Sequence, residues 1–191
     1  MSGRQLWIVR HGETEWSAAG RHTGTTDIDL TENGEEVARS LAPRLAGTEF
    51  DLVLTSPRRR AQHTAELAGF GHAAVDPDLV EWDYGDYEGI TTPEIQETVP
   101  DWSVWTHPVP GGETAQDLGV RLDRVVERAR RVEGRTLVFA HGHSLRVLAA
   151  RWLGLDVVDG RIFDLDTATI SVLGDDRGTP VVQRWNVAHR D

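Results

Sequence analysis

Three short apolar runs, each stopping at a polar or charged cluster, constrain this chain more than any other feature. Leu6-Trp7-Ile8-Val9 runs into Arg10-His11-Gly12, Asp51 to Thr55 into Ser56 to Arg60, and Thr136 to Ala140 into His141-Gly142-His143. Runs this short and continuous are the pattern of strands buried on both faces. Helical patterns separate them. Thr31 can cap a helix with Glu32, Glu35 and Glu36 in its first turns and Val37, Leu41 and Leu45 as its inner stripe. Pro43 predicts a kink or an early end there. Ser56-Pro57 reads as a hydroxyl cap followed by proline in the first turn, with Ala61, Ala65 and Ala68 facing inward. A helix over Thr114 to Val132 turns Leu118, Leu122, Val125, Ala129 and Val132 inward. Another carries Leu145, Leu148, Ala149 and Trp152 and stops near Gly154. Thr169 to Leu173 and Val181 to Trp185 form a terminal hairpin around Asp175 to Gly178. This alternation predicts an α/β fold, a mostly parallel central sheet with helices on both faces. The strand C-termini then gather along one edge.

The 191 residues predict one domain, 1–191. One stretch, about 76–112, breaks the alternation: it is rich in proline and glycine and holds Trp82, Tyr84, Tyr87, Trp102 and Trp105. It is predicted as an insertion capping one end of the sheet, with a short helix starting after Thr92-Pro93. Its aromatic residues are expected to build a small core of their own, or else to wall a ligand.

Composition removes whole classes of chemistry. The net charge of −11 makes the chain a poor partner for nucleic acid or an anionic membrane. With no cysteine there is no thiolate nucleophile, no disulfide and no thiolate metal site. All 20 basic residues are arginine, so Schiff-base chemistry and a P-loop lysine are absent too. No apolar run approaches the roughly 20 residues of a membrane helix. No apolar leader precedes Arg10, so secretion is not expected and a cytoplasmic location is predicted.

Parallel strands would bring the three clusters together. Two arginines, two or three histidines and a helix N-terminus would then converge, which describes a site for a small anion. Each cluster alone has a blander meaning. Arg10-His11 can be a loop ion pair, Arg58 to Arg60 an exposed face, and His141-Gly142-His143 a metal pair, although no H-E-x-x-H spacing accompanies it.

These motifs resemble those of the histidine phosphatase, or phosphoglycerate-mutase-like, superfamily. Arg10-His11-Gly12-Glu13-Thr14-Glu15-Trp16 resembles its R-H-G-x-T-x-W signature, and Arg21 to Gly24 with Asp29-Leu30-Thr31 and Gly34 its next stretch. Ser56 to Ala65 resembles S-P-x-x-R-A-x-x-T-A, Leu79 to Gly89 resembles L-x-E-x-x-x-G-x-x-E-G, and Phe139 to Gly142 matches the second-histidine motif. The resemblance spans about residues 6 to 174 and implies a phosphatase acting on small phosphate monoesters such as sugar phosphates. It implies His11 as the nucleophile that becomes a phosphohistidine, Glu81 as the proton donor to the leaving oxygen, and His141 as their catalytic partner. Arg10, Arg60, Gly142 and Ser17 would hold the phosphate, and Thr23, Gly24 and Tyr84 the rest of the substrate. Neither a metal nor a cofactor is implied; a homodimer is compatible. Nearby Arg10, Arg60 and His141 would disfavour a proton on His11.

The sequence departs from the family in two places. Ser17 stands where many members carry asparagine, and no Arg or Lys lies between Asp83 and Gly119, where mutases grip the substrate carboxylate. The second departure favours hydrolysis over a mutase. Two further alternatives remain. Gly142-His143-Ser144 imitates a serine-hydrolase elbow, with Arg146 in place of its final glycine and His189 as the available base. A non-catalytic phospholigand-binding module is the other.

Overall fold

The computed structural model describes residues 3–188. Its sheet has six strands: β1 (Gln5–Arg10), β2 (Leu52–Thr55), β3 (Ala74–Val75), β4 (Arg135–Ala140), β5 (Ile170–Asp176) and β6 (Thr179–Val187). Their order across the sheet is β3-β2-β4-β1-β5-β6. The first four are mutually parallel, and β5 and β6 add an antiparallel pair beside β1. The helices are α1 (Glu15–Ala18), α2 (Glu32–Leu45), α3 (Arg59–Leu67), α4 (Thr92–Gln96), α5 (Ala115–Arg131) and α6 (Gly142–Trp152).

Side chains alternate across the buried strands, which is why continuous apolar runs are needed. Leu6 and Ile8 of β1 and Val138 and Ala140 of β4 face α5 and α6 and join Leu118, Leu122, Leu145 and Leu148. Val9, Leu137 and Phe139 face the other way, onto Leu41 and Leu45 of α2 and Ala65 of α3. The sheet is therefore covered on both sides.

Several local expectations change. Pro43 sits inside the last turn of α2, and the helix continues through it to Leu45. Pro43 is exposed, so losing one backbone donor there orphans no buried carbonyl. Ser56 does not cap α3; the helix begins at Arg59, and Arg58 at its N-cap makes no side-chain bond. The two-residue strand β3 is too short to leave a periodic signal in the sequence. The segment between β3 and α5 does carry a short helix, capped by a Thr91–Glu94 box. Its aromatic residues do not make a separate core. Trp82, Tyr84 and Trp102 are buried in the same cluster as β1, α5 and α6.

Candidate active site

Register builds the site. Ile8, Val9 and Arg10 of β1 stand opposite Val138, Phe139 and Ala140 of β4, so the next pair across the two chains is His11 and His141. The His11 N–H donates to the Ala140 carbonyl at 2.9 Å, and the two imidazole centroids lie 5.2 Å apart. Gly12 must be glycine: a Cβ there would lie 2.5 Å from the Gly34 carbonyl oxygen, because α2 packs directly on this turn. Its N–H donates to Thr64 Oγ1 of α3 at 2.9 Å.

His11 Nδ1 lies 2.7 Å from the Gly12 carbonyl oxygen. A carbonyl only accepts, so Nδ1 carries the hydrogen and Nε2 keeps its lone pair. Burial, with the charges of Arg60 and Arg10, holds His11 well below the usual histidine value, against a smaller opposing effect of the Gly12 carbonyl. His11 is thus a neutral imidazole on the wall of a cavity of about 250 Å³, shared with Arg10, Ser17, Thr23, Glu81, Tyr84 and Gly142.

Arg60 and His141 form the layer behind that wall; both are fully buried. Arg60 Nε donates to His141 Nδ1 at 3.2 Å, and its other nitrogens hold the Thr26, Thr23 and Gly24 carbonyls. Since His141 Nδ1 accepts, its Nε2 carries the hydrogen and donates to Ser56 Oγ at 2.7 Å. Burial, then Arg60 and His11, keep His141 well below the usual value. Arg10 Nη1 donates to the Leu165 carbonyl at 2.5 Å, while its buried Nε has no partner among the described residues.

Glu81 replaces a missing cap. His141, the N-cap of α6, makes no side-chain bond to the helix. Glu81 supplies the acceptors instead: Oε1 takes the N–H groups of Ser144 at 2.8 Å and of Trp82 at 2.9 Å, and Oε2 takes that of His143 at 3.0 Å. A carboxylate at a helix N-terminus also suits the helix dipole. The loop carrying Glu81 is clamped by buried Arg121 of α5. Its guanidinium donates to the carbonyls of Asp78, Val80 and Glu81 and pairs through two nitrogens with Glu113. Replacing Arg121 with Met leaves that carboxylate and three carbonyls unpaired. We expect a loss of about 3 kcal/mol in urea unfolding and a roughly tenfold lower kcat. An unchanged midpoint would show that the clamp holds nothing.

Of the expected phosphate and substrate contacts, Ser17, Thr23 and Tyr84 line the cavity and Gly24 does not. Ser17 lines the cavity, yet its hydroxyl closes the α1 capping box, accepting from Thr14 N–H and donating to the Thr14 carbonyl. Its hydrogen is therefore committed within the chain. Gly24 is not on the cavity wall, and its N–H goes to the Glu88 carboxylate. Thr23 is on the wall and donates its hydroxyl to the Arg21 carbonyl. Gly142 opens α6, so its N–H has no acceptor within the helix. Ser144 is fully buried and its hydroxyl has no partner among the described residues. His189 lies outside the described residues.

Sequence reasoning placed His143 in the third cluster but did not single out Arg21, His22, Thr92, Arg146 or Asp164 as parts of this wall. They come from four separate segments, and only the folded chain brings them together. Burial lowers His22 to about 4, with Glu88 opposing. His143 is pushed well below the usual value by burial, then Arg146, His22 and Arg10.

These buried neutral histidines link stability to pH. Below the unfolded-state value of about 6.5 the unfolded chain takes up protons that the folded chain refuses. Stability is therefore full above that value and is lost as pH falls toward the folded-state values. For His22 the window runs from 6.5 down to about 4, costing about 1.4 kcal/mol per pH unit within it. The urea midpoint should drop between about pH 7 and about pH 5, less steeply in His22→Gln. A midpoint independent of pH would rule the linkage out.

Among the described residues no helix is long and apolar enough to cross a membrane. Residues 6–188 match the family model of the histidine phosphatase superfamily, branch 1. The chain is 43% identical over 178 residues to an acid phosphatase of Mycobacterium tuberculosis, covering 91% of this chain and 88% of that one. It is 39% identical over 183 residues to a sedoheptulose 1,7-bisphosphatase of Saccharomyces cerevisiae, covering 78% and 68%. It is also 36% identical over 200 residues to a 2,3-bisphosphoglycerate-dependent phosphoglycerate mutase of Methylorubrum extorquens, covering 95% and 89%. The solved structure of an open reading frame product of M. tuberculosis superposes with a TM-score of 0.93 at 40% identity, covering 97% of this chain and 98% of that one. The chain belongs to the histidine phosphatase superfamily, as a phosphomonoesterase.

Proposed function

We propose that this enzyme hydrolyses small phosphate monoesters of about sugar-phosphate size, in the cytoplasm, without a metal ion and through a phosphohistidine at His11. The observation that carries the proposal is the tautomer of His11. With Nδ1–H spent on Gly12, the Nε2 lone pair is the group offered at a cavity wall shared with the Arg10 guanidinium. Attack by Nε2 on phosphorus forms the N–P bond as the bond to the leaving oxygen breaks. The Arg10 guanidinium, its Nε without a partner among the described residues, and the Gly142 N–H at the start of α6 meet the negative charge on the equatorial oxygens. Glu81 Oε1 is occupied by two N–H donors and Oε2 by one. In the protonated form of Glu81, Oε2 is then the oxygen that carries the proton, gives it to the leaving group and, as the resulting carboxylate, takes one from the water that cleaves the N–P bond. Arg60 and His141 act from behind the wall, fixing the loop at Thr23 to Thr26 and the strand ends.

A mutase would use the same first step and return the phosphoryl group to the substrate. One observation favours keeping that reading: Arg21 and Arg146 bring cations to the cavity that the insertion lacks. The deciding experiment measures phosphate release from p-nitrophenyl phosphate and a panel of sugar phosphates, with EDTA present, alongside conversion of 3- to 2-phosphoglycerate. We expect phosphate release that survives EDTA and disappears in His11→Ala. Metal-dependent release would overturn the scheme, and isomerisation without release would establish the mutase.

A further inference from the structure

We propose that Arg146 is the receptor for a second anionic group on the substrate, so that the enzyme selects phosphomonoesters whose leaving group itself carries a phosphate or a carboxylate. The inference rests on the phosphatase reading above and adds the class of leaving group to it.

Gly142, His143 and Arg146 lie at helical spacing on one face of α6, and all three line the cavity. At 1.5 Å per residue, Arg146 stands about 6 Å along the helix from Gly142. The same wall therefore leads from the phosphoryl end, beside His11 and Arg10, to Arg146. A metabolite a few carbons long spans that separation.

The guanidinium of Arg146 is already fixed. It stacks over the Trp105 ring at 4.8 Å, while Nε donates to the Gly160 carbonyl at 3.1 Å and Nη2 to the Arg161 carbonyl at 2.8 Å. Nη1 has no partner among the described residues, and it is not enclosed as a buried orphan. Arg121 pairs with Glu113, Arg128 with Asp76 and Asp78, and Arg151 with Asp123; Arg10 and Arg60, beside His11 and His141, share with Arg146 an interior setting held by carbonyls. Arg146 makes no ion pair among the described residues; Asp164, on the same wall, acts on it only from beyond ion-pairing distance. A half-buried cation held on three sides, without a counter-ion and open on a cavity, is preorganised for an oxyanion supplied by a ligand.

His143 adds a neutral donor beside it. The Tyr84 hydroxyl lies 2.6 Å from His143 Nδ1. Burial keeps the Tyr84 hydroxyl protonated, so it donates, and His143 Nε2 carries the ring hydrogen. The His143 ring packs 5.1 Å from the same Trp105 that Arg146 covers. A cation and an N–H donor on one aromatic platform suit an oxyanion at the far end of the leaving group.

The test compares matched substrates. Phosphate release is measured for fructose 1,6-bisphosphate against fructose 6-phosphate, and for 3-phosphoglycerate against glycerol 3-phosphate, in wild type, Arg146→Gln and Arg146→Lys. We expect wild-type kcat/KM to favour the doubly anionic member of at least one pair by about tenfold or more. The pair that responds identifies phosphate or carboxylate as the group recognised. Arg146→Gln should bring the ratio to within about twofold of one, and Arg146→Lys should restore part of it. Ratios near one in wild type, or a ratio preserved in Arg146→Gln, would overturn the inference. Wild-type ratios near one would overturn the inference even if a variant folds poorly, and Arg146→Lys, which keeps the charge, separates loss of the receptor from loss of the fold. Failure of the phosphatase reading shows itself separately, as absent wild-type turnover of every substrate including p-nitrophenyl phosphate.

Discussion

His11→Ala should lower turnover by at least about 10⁴-fold, because it removes the nitrogen on which the phosphoryl group is to be carried. The fold should survive. Among the described residues the His11 ring makes one hydrogen bond, to the carbonyl of its own neighbour Gly12, and it stands at a strand end outside both core clusters. Its backbone N–H, which does hold the sheet edge through Ala140, is unaffected by the change. The melting temperature of His11→Ala should therefore stay close to that of wild type, and orthophosphate should still raise it through Arg10. Turnover within tenfold of wild type in this variant would remove His11 from the chemistry.

Glu81→Gln is the second large effect, and its size should depend on the leaving group. A general acid contributes about 10²–10⁴-fold, most where the leaving oxygen is strongly basic. Sugar phosphates should therefore lose about that factor, and p-nitrophenyl phosphate much less in its first step, because nitrophenolate leaves without a proton. The second step still needs a base to activate water. A burst of nitrophenolate equal to the enzyme, followed by slow release of phosphate, is the expected trace. Some loss of stability accompanies it: the amide has a single acceptor oxygen, so an N–H at the start of α6 loses its partner. Equal losses on both substrates without a burst would assign Glu81 to capping α6 alone.

The strand ends of the site are legible in the sequence because His11 and His141 each directly follow a buried strand. Leu6 to Val9 and Leu137 to Ala140 announce their strands by continuous apolarity, and parallel pairing then sets His11 beside His141. The α/β layering is legible for the same reason. What the sequence hides is made by long-range contacts without local period. Glu81 reaches the N–H groups of α6 across 62 and 63 residues, and Arg121 clamps the Glu81 loop across 40. The hydroxyl of Ser17 is taken by a local capping box that competes with any ligand. Arg146 reads in the sequence as a flaw in a serine-hydrolase elbow; only α6 packed against the Trp105 segment gives it a face on the cavity.

The central claim is a covalent bond between His11 and phosphorus. It is tested by mixing Glu81→Gln with p-nitrophenyl phosphate, quenching in alkaline denaturant, where an N-phosphoryl bond survives, and locating the phosphoryl group by peptide mass spectrometry. The expected result is a phosphohistidine at His11, labile to acid and absent from His11→Ala. Turnover with no phosphoryl group on the protein, or with the group on a residue other than His11, would contradict it.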